Sequence, residues 1–177
     1  MKLVTANTRR EWRAWLKKNH AKEKEAWLVY YRKSSGKRRI PYNDAVEEAL
    51  SFGWIDSTVR NVDRDRYAQR FTPRRSGSPL SEMNKERARK LIKAGKMTKT
   101  GLASAKKSLG ERLVIPAYIL KALKNDKVTW ENFRRFPESY KRIRIGWIAN
   151  ARSSDRKRRL LYFLKMTKMN KKFGMVQ

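Results

Sequence analysis

Over the first 110 residues, stretches with helix-spaced apolar positions alternate with short apolar and aromatic runs; after that only helical spacing remains. Trp12, Trp15 and Leu16 predict a helix that Thr5 or Asn7 caps and that runs to about His20. Ala26–Arg32 (AWLVYYR) reads as a strand, with a turn at Ser34-Ser35-Gly36. Pro41 and Asn43 open a second helix with Ala45, Val46, Ala49 and Leu50 on one face, and Gly53 is its left-handed stop. Trp54–Val59 and Tyr67–Thr72 then form a hairpin that turns through Asn61–Arg66 (NVDRDR). Alternation puts Trp54, Asp56 and Thr58 on one strand face and Ile55, Ser57 and Val59 on the other; in the second strand Tyr67, Gln69 and Phe71 oppose Ala68, Arg70 and Thr72.

Pro73–Pro79 (PRRSGSP) is a loop, Ser81 caps a helix from Glu82 to Ala94 that Gly95 closes, and Thr98 caps another to about Leu109. Gly110–Val114 is the expected domain boundary. Four helices follow: one opened by Pro116 with Ile119, Leu120 and Leu123, and one capped by Thr129 with Trp130, Phe133 and Phe136. Pro137 opens the third with Tyr140, Ile143, Trp147, Ile148 and Ala151, and Ser154 caps the last with Leu160, Leu161, Phe163 and Leu164. The expected fold is therefore α+β: a small antiparallel sheet with covering helices in residues 1–110, then an all-helical C-terminal module in residues 111–177.

Charge changes this picture most. Lys plus Arg outnumber Asp plus Glu by 46 to 16, so at most 16 cations can have a carboxylate of their own. The excess is spread over both halves, with 28 cations against 11 acids in residues 1–110 and 18 against 5 in residues 111–177. Such a field attracts nucleic acid, anionic membranes and phosphorylated small molecules alike. With 40% hydrophobic residues and six tryptophans the chain is nonetheless a folded protein and not a disordered polycation.

Cysteine is absent and His20 is the one histidine, which removes thiolate nucleophiles, disulfides and the usual metal ligands. No metal and no cofactor is expected, and no catalytic residue is assigned. The opening MKLVTANTRREW lacks the apolar run of a secretory signal, and no stretch approaches the roughly 20 apolar residues of a membrane span. The expectation is a cytoplasmic protein.

Candidate chemistry concentrates in residues 49–87. Asp56 lies between apolar neighbours, where a carboxylate needs a partner; Arg70, Arg74 and Arg87 are the candidates. It is read either as half of a structural ion pair or as a ligand-orienting group. Arg70, Arg74, Arg75, Ser78, Ser81, Asn84 and Arg87 combine a loop, a helix start and guanidinium forks suited to phosphate or carboxylate. Trp54, Tyr67 and Phe71 are stacking planes or core. Two basic surfaces are polyanion candidates: Lys33, Lys37, Arg38 and Arg39 after the first strand, and Arg152, Arg156, Lys157, Arg158 and Arg159 at a helix start, where cations oppose the helix dipole.

The stretches EALSFGWIDS (Glu48–Ser57), RFTPRR (Arg70–Arg75) and GKMTKTGL (Gly95–Leu102), with Ser81, Asn84 and Arg87, are similar to a known family. So are FPESYKR (Phe136–Arg142), WIANAR (Trp147–Arg152) and RKRRL (Arg156–Leu160) in the helical tail. The chain resembles the YdeI/OmpD-associated family, called bacteriocin-protection proteins. It departs from the family pattern at Leu80, where a tryptophan often precedes the serine-capped helix. The resemblance implies protection against cationic antimicrobial peptides, but a cationic protein repels such peptides, so a protective role would be indirect.

Three functions follow as expectations. The first is a non-enzymatic, strongly basic protein that holds an anionic partner, with nucleic acid as first choice. The second is a sensor or enzyme for a small anion, with a pocket around Asp56, Arg70, Arg74 and Arg87. The third is a module whose helical tail docks another protein.

Overall fold

The computed structural model describes residues 2–75, 77–112 and 114–174. Two residues of expected loops, Ser76 in PRRSGSP and Leu113 in the boundary segment, lie outside these. The fold is α+β and divides into two compact units, Met1–Pro79 with Arg87–Gly110 and Leu80–Glu86 with Glu111–Gln177.

The first unit is built on a four-stranded sheet of order β1-β2-β4-β3: β1 (Leu3–Thr5), β2 (Ala26–Tyr31), β3 (Trp54–Asn61) and β4 (Arg66–Pro73). The three longer strands pair antiparallel, as expected. The short β1 adds a parallel edge, with Leu3 opposite Trp27 and Thr5 opposite Val29, so the sheet is mixed. Three residues carry too little alternation to read as a strand; pairing with β2 makes them one.

Helices α1 (Arg9–Asn19) and α2 (Tyr42–Ser51) supply the apolar stripes of this unit's core, in which Trp12, Leu16, Ala45, Val46 and Ala49 pack with Leu28, Tyr30, Trp54 and Phe71. Thr8, and neither Thr5 nor Asn7, caps α1: its hydroxyl accepts from the Glu11 amide, while the Glu11 carboxylate accepts from the Asn7 amide at 2.7 Å. Bonds to the carboxylate from the Asn7 amide, which contributes most, and from the Thr8 hydroxyl and amide hold Glu11 below the usual carboxyl range. α2 stops where Gly53 takes φ +77°. Its Glu48 carboxylate is buried and accepts from Arg9 Nε and Arg13 Nη1, both at 2.6 Å, which ties α1 to α2.

After the sheet come α3 (Glu82–Lys93) and α4 (Lys99–Gly110). Thr98 caps α4, since its hydroxyl accepts from the Gly101 amide and itself donates to the Ser51 carbonyl at 2.7 Å. Gly101 then lies directly on the end of α2, where a Cβ would stand 2.2 Å from the Ser51 carbonyl oxygen.

The second unit contains α5 (Ala117–Lys124), α6 (Lys127–Arg135), α7 (Glu138–Ala149) and α8 (Ser153–Lys168). Ile119, Leu123, Phe133, Tyr140, Ile148 and Phe163 form its core. Asp126, not Thr129, caps α6: its carboxylate accepts from the Thr129 amide at 2.8 Å and hydroxyl at 2.7 Å, and pairs with Lys168 at 3.0 Å. α8 starts one residue before the expected Ser154 cap, and its capping residue Arg152 provides no side-chain hydrogen bond.

The Thr129 hydroxyl and amide, then Lys168, bring Asp126 down from its ordinary 3.8 to about 2. A carboxylate whose folded value is depressed contributes stability above its unfolded value and loses it as pH falls through the folded one. Denaturant unfolding of wild type and Asp126→Ala at neutral pH and near pH 2 should therefore show a clear gap at neutral pH that closes in acid. An equal gap at both would assign the effect to something other than the charge.

Candidate functional site

The face of the sheet beneath α2 brings Asp56 together with neutral donors. Asp56 pairs across the strands with Phe71, and Gln69 follows two residues along β4 on the same face. Gln69 Nε2 donates to Asp56 Oδ2 at 2.7 Å, and the Tyr42 hydroxyl, from the first residue of α2, donates to the same oxygen at 2.9 Å. Among the described residues no Lys or Arg pairs with Asp56, so the expected ion pair does not form. Asp56 is only partly buried, and two donors plus water satisfy a carboxylate in that position without a countercharge.

A bulge shapes this strand. Asp56 faces Phe71 and Val59 faces Gln69, so three steps on β3 match two on β4. Strict alternation, which put Val59 opposite Asp56, fails at the extra residue: Val59 returns to the side of Gln69. Behind Asp56, the Tyr30 ring stacks on Tyr67 at 5.2 Å, and the buried Tyr30 hydroxyl has no hydrogen-bond partner. Arg39 Nη1 donates to the Tyr31 carbonyl at 3.2 Å and to the Tyr67 hydroxyl at 3.4 Å.

Burial, then the Asp56 charge and its hydrogen bond, push the Tyr42 hydroxyl up to about 12. Burial likewise drives the Tyr30 hydroxyl upward. Both phenols thus keep their protons at neutral pH, which suits neither to act as a base or nucleophile, and Tyr42 serves as a donor to Asp56. Sequence reading missed Tyr42, Tyr30 and Gln69 as the surroundings of Asp56. Only the period-2 parity of Gln69 with Phe71 hinted at one of them.

The arginines expected around Asp56 go elsewhere. Arg70 Nε bonds Glu25 at 2.7 Å from the opposite sheet face, next to Trp27, whose indole donates to the same carboxylate group at 3.1 Å. Arg74 turns onto the Ser78 carbonyl within its own loop, its amide donates to the Gly53 carbonyl at 2.9 Å, and burial lowers its basicity. Arg75 is exposed, and its carbonyl accepts from the Ser78 amide. Arg87 donates to Asn43 Oδ1 at 2.8 Å, one residue along α2 from Tyr42. In the second unit the Ser81 hydroxyl accepts from the Asn84 amide as the expected cap of α3, and Asn84 is buried.

Of the stacking candidates, Trp54 and Phe71 are fully buried core, and Tyr67 is partly buried against Tyr30. The Trp54 indole donates to the His20 carbonyl at 3.1 Å, and His20 ends α1 against Phe52. In the first basic loop Lys33 begins a single 3-10 turn, Lys37 lies over the Tyr31 ring at 5.2 Å, and Arg38 is exposed.

The second basic cluster is denser. In the opening turns of α8, Arg152, Arg156, Lys157 and Arg158 are exposed around one acid, Asp155, which bonds Arg158 at 2.7 Å and reaches Arg159 at 3.8 Å. Arg159 folds back, with Nη1 donating to the Trp147 carbonyl at 2.8 Å and its guanidinium 4.9 Å from the Trp147 ring. Those guanidinium forks can bind phosphate or carboxylate bidentately. Among the described residues no group of three His, Asp or Glu side chains could hold a metal ion, and no helix is long and apolar enough to cross a membrane.

No curated protein and no solved structure matches this chain. Residues 4–104 match the model of a domain of unknown function, DUF8412, and residues 112–170 match that of the bacteriocin-protection, YdeI or OmpD-associated family. The motif stretches at residues 48–57, 70–75 and 95–102 fall within the first match, and those at 136–142, 147–152 and 156–160 within the second. The C-terminal helices are thus similar to the YdeI/OmpD-associated family, and the chain, matched over more than half its length, belongs to the DUF8412 family.

Proposed function

We propose that this protein is a non-enzymatic binding protein whose basic surface holds nucleic acid. The observation that carries the reading is the start of α8, where five cations surround the single acid Asp155 at the end of a helix whose dipole already favours an anion. Asp155 pairs with Arg158 and Arg159, and among the described residues Arg152, Arg156 and Lys157 have no carboxylate within the helix. A polyphosphate backbone supplies the missing charge and releases its counterions in doing so. The Asp56 cluster supports this non-enzymatic reading, because its tyrosines hold their protons and its carboxylate is already occupied by two donors. A nucleic-acid partner also implies a cytoplasmic working place.

The test is fluorescence anisotropy with a labelled single-stranded RNA, a duplex DNA and anionic vesicles across a salt series. Nucleic acid should bind near physiological salt and more tightly than vesicles. A variant with Arg152, Arg156 and Lys157 changed to Gln should flatten the log–log salt slope by about two units on a single strand, as three lost phosphate contacts require. Tighter binding to vesicles, or an unchanged slope in the triple variant, would refute the reading.

A further inference from the structure

Within the second unit, a cavity of about 460 Å³ is lined by Arg144, Trp147, Arg158, Arg159, Tyr162 and Phe173. Three of the six are arginines, three are aromatic, and none is acidic. Arg144 lies at the back, 7% exposed. Its guanidinium sits over Phe173 at 4.8 Å, Trp147 at 5.6 Å and Tyr140 at 5.7 Å, and Gly174 at φ +78° packs against it so closely that a Cβ there would stand 2.9 Å from Nη1. Among the described residues Arg144 makes no ion pair or hydrogen bond, and its Nε is buried without a partner. Burial lowers its basicity.

A desolvated cation normally carries a carboxylate or several hydrogen bonds. Ring faces compensate only part of that loss. Asp155, on α8, is engaged by Arg158 at 2.7 Å and reaches Arg159 only at 3.8 Å. The cavity thus offers an unsatisfied guanidinium at its back, two more cations from α8 and flat apolar walls from Trp147, Tyr162 and Phe173. Its size is that of an ordinary small-ligand pocket. A bare inorganic anion would leave the aromatic walls unused, and a neutral ring would leave Arg144 unpaired.

We propose that this cavity binds a small organic anion whose charge is carried on a flat ring system, of the size and chemistry of a nucleoside monophosphate. The ring stacks on the aromatic walls while phosphate or carboxylate oxygens pair with Arg144, Arg158 and Arg159. This inference rests on the cavity and not on the exposed cluster that supports nucleic-acid binding, so either can fail alone.

The test is isothermal titration of the full-length protein at physiological salt with AMP and, as a carboxylate on a flat ring, indole-3-carboxylate. Adenosine and inorganic phosphate provide the ring alone and the anion alone. One of the two ring-bearing anions should saturate a single site per chain about tenfold or more tighter than either control, and the tighter of the two names the anionic group. Arg144→Met should weaken that binding by about tenfold or more. Its ligand-free melting temperature should stay the same or rise, because an uncompensated charge has been removed. A purely structural Arg144 would instead show a lowered melting temperature. Tyr162→Ala, at an exposed rim position, keeps the fold and should also weaken binding. The variant with Arg152, Arg156 and Lys157 changed to Gln should bind as wild type. Binding no tighter than phosphate alone, or unaffected by both Arg144→Met and Tyr162→Ala, would overturn the proposal.

Discussion

Glu48→Ala should destabilise the N-terminal unit by about 3 kcal/mol. Glu48 is 2% exposed on the packed face of α2, and both its oxygens are used: Oε1 by Arg9 and Oε2 by Arg13. Arg9 also reaches Asp44 at 3.3 Å and Glu47 at 2.9 Å, and Arg13 donates to the Lys96 carbonyl and lies over Phe52. Removing a buried partner normally costs about 3–5 kcal/mol because the remaining charge is stranded. Here the two arginines keep contact with water and Arg9 keeps two other acids, which places the loss at the lower end. Glu48→Gln retains the shape and one acceptor, and should cost about half as much. Urea unfolding followed by tryptophan emission checks both, since Trp12, Trp15 and Trp54 all report on this core. A change in Glu48→Ala within about 0.5 kcal/mol, the range of an ordinary surface substitution, would show that the two helices do not depend on this clamp.

Gly101→Ala should be nearly as damaging, against the helix propensity of the substitution. Alanine in a helix is favoured over glycine by about 1 kcal/mol. At Gly101 the added Cβ would stand 2.2 Å from the Ser51 carbonyl oxygen and 2.7 Å from its carbon, and these backbone atoms cannot rotate away. The same carbonyl accepts from the Thr98 amide at 3.0 Å and hydroxyl at 2.7 Å, so relieving the clash also breaks the bonds that seat α4 on α2. The expected net loss is about 2 kcal/mol. Gly110→Ala is the matched control: it lies in the same helix with open space around it and should be neutral within about 0.5 kcal/mol. If the two substitutions behave alike, the close approach of α4 to α2 is not what Gly101 provides.

Both effects lie in contacts that no local pattern announces. Glu48 reads as one of several acids near the start of a helix, and Gly101 as a glycine inside a helical stretch. Each becomes critical only because another helix lies against it. Arg144 is a third case, one cation among 46 until the aromatic rings of Tyr140, Trp147 and Phe173 close around it.

What the amino-acid order determined by itself is what depends on neighbours a few residues apart. A continuous apolar and aromatic run made β2, shorter alternating runs made β3 and β4, helical spacing made α1 through α8, and Gly53 and Gly95 stopped their helices at positive φ, because backbone sterics and side-chain direction act locally. Caps were legible where the polar side chain stood at the bend, as with Ser81 and Thr98, and misplaced by a few residues where two candidates competed, as with Thr8 and Asp126. Tertiary structure alone decided the partners. A bulge reset the face of β3 beyond Asp56, the register of β4 turned Gln69 toward Asp56 and Arg70 toward Glu25, and β1 exists only because β2 gave it an edge. A one-residue change in strand register exchanges every side chain between faces, and nothing within a few residues of Asp56 encodes that choice.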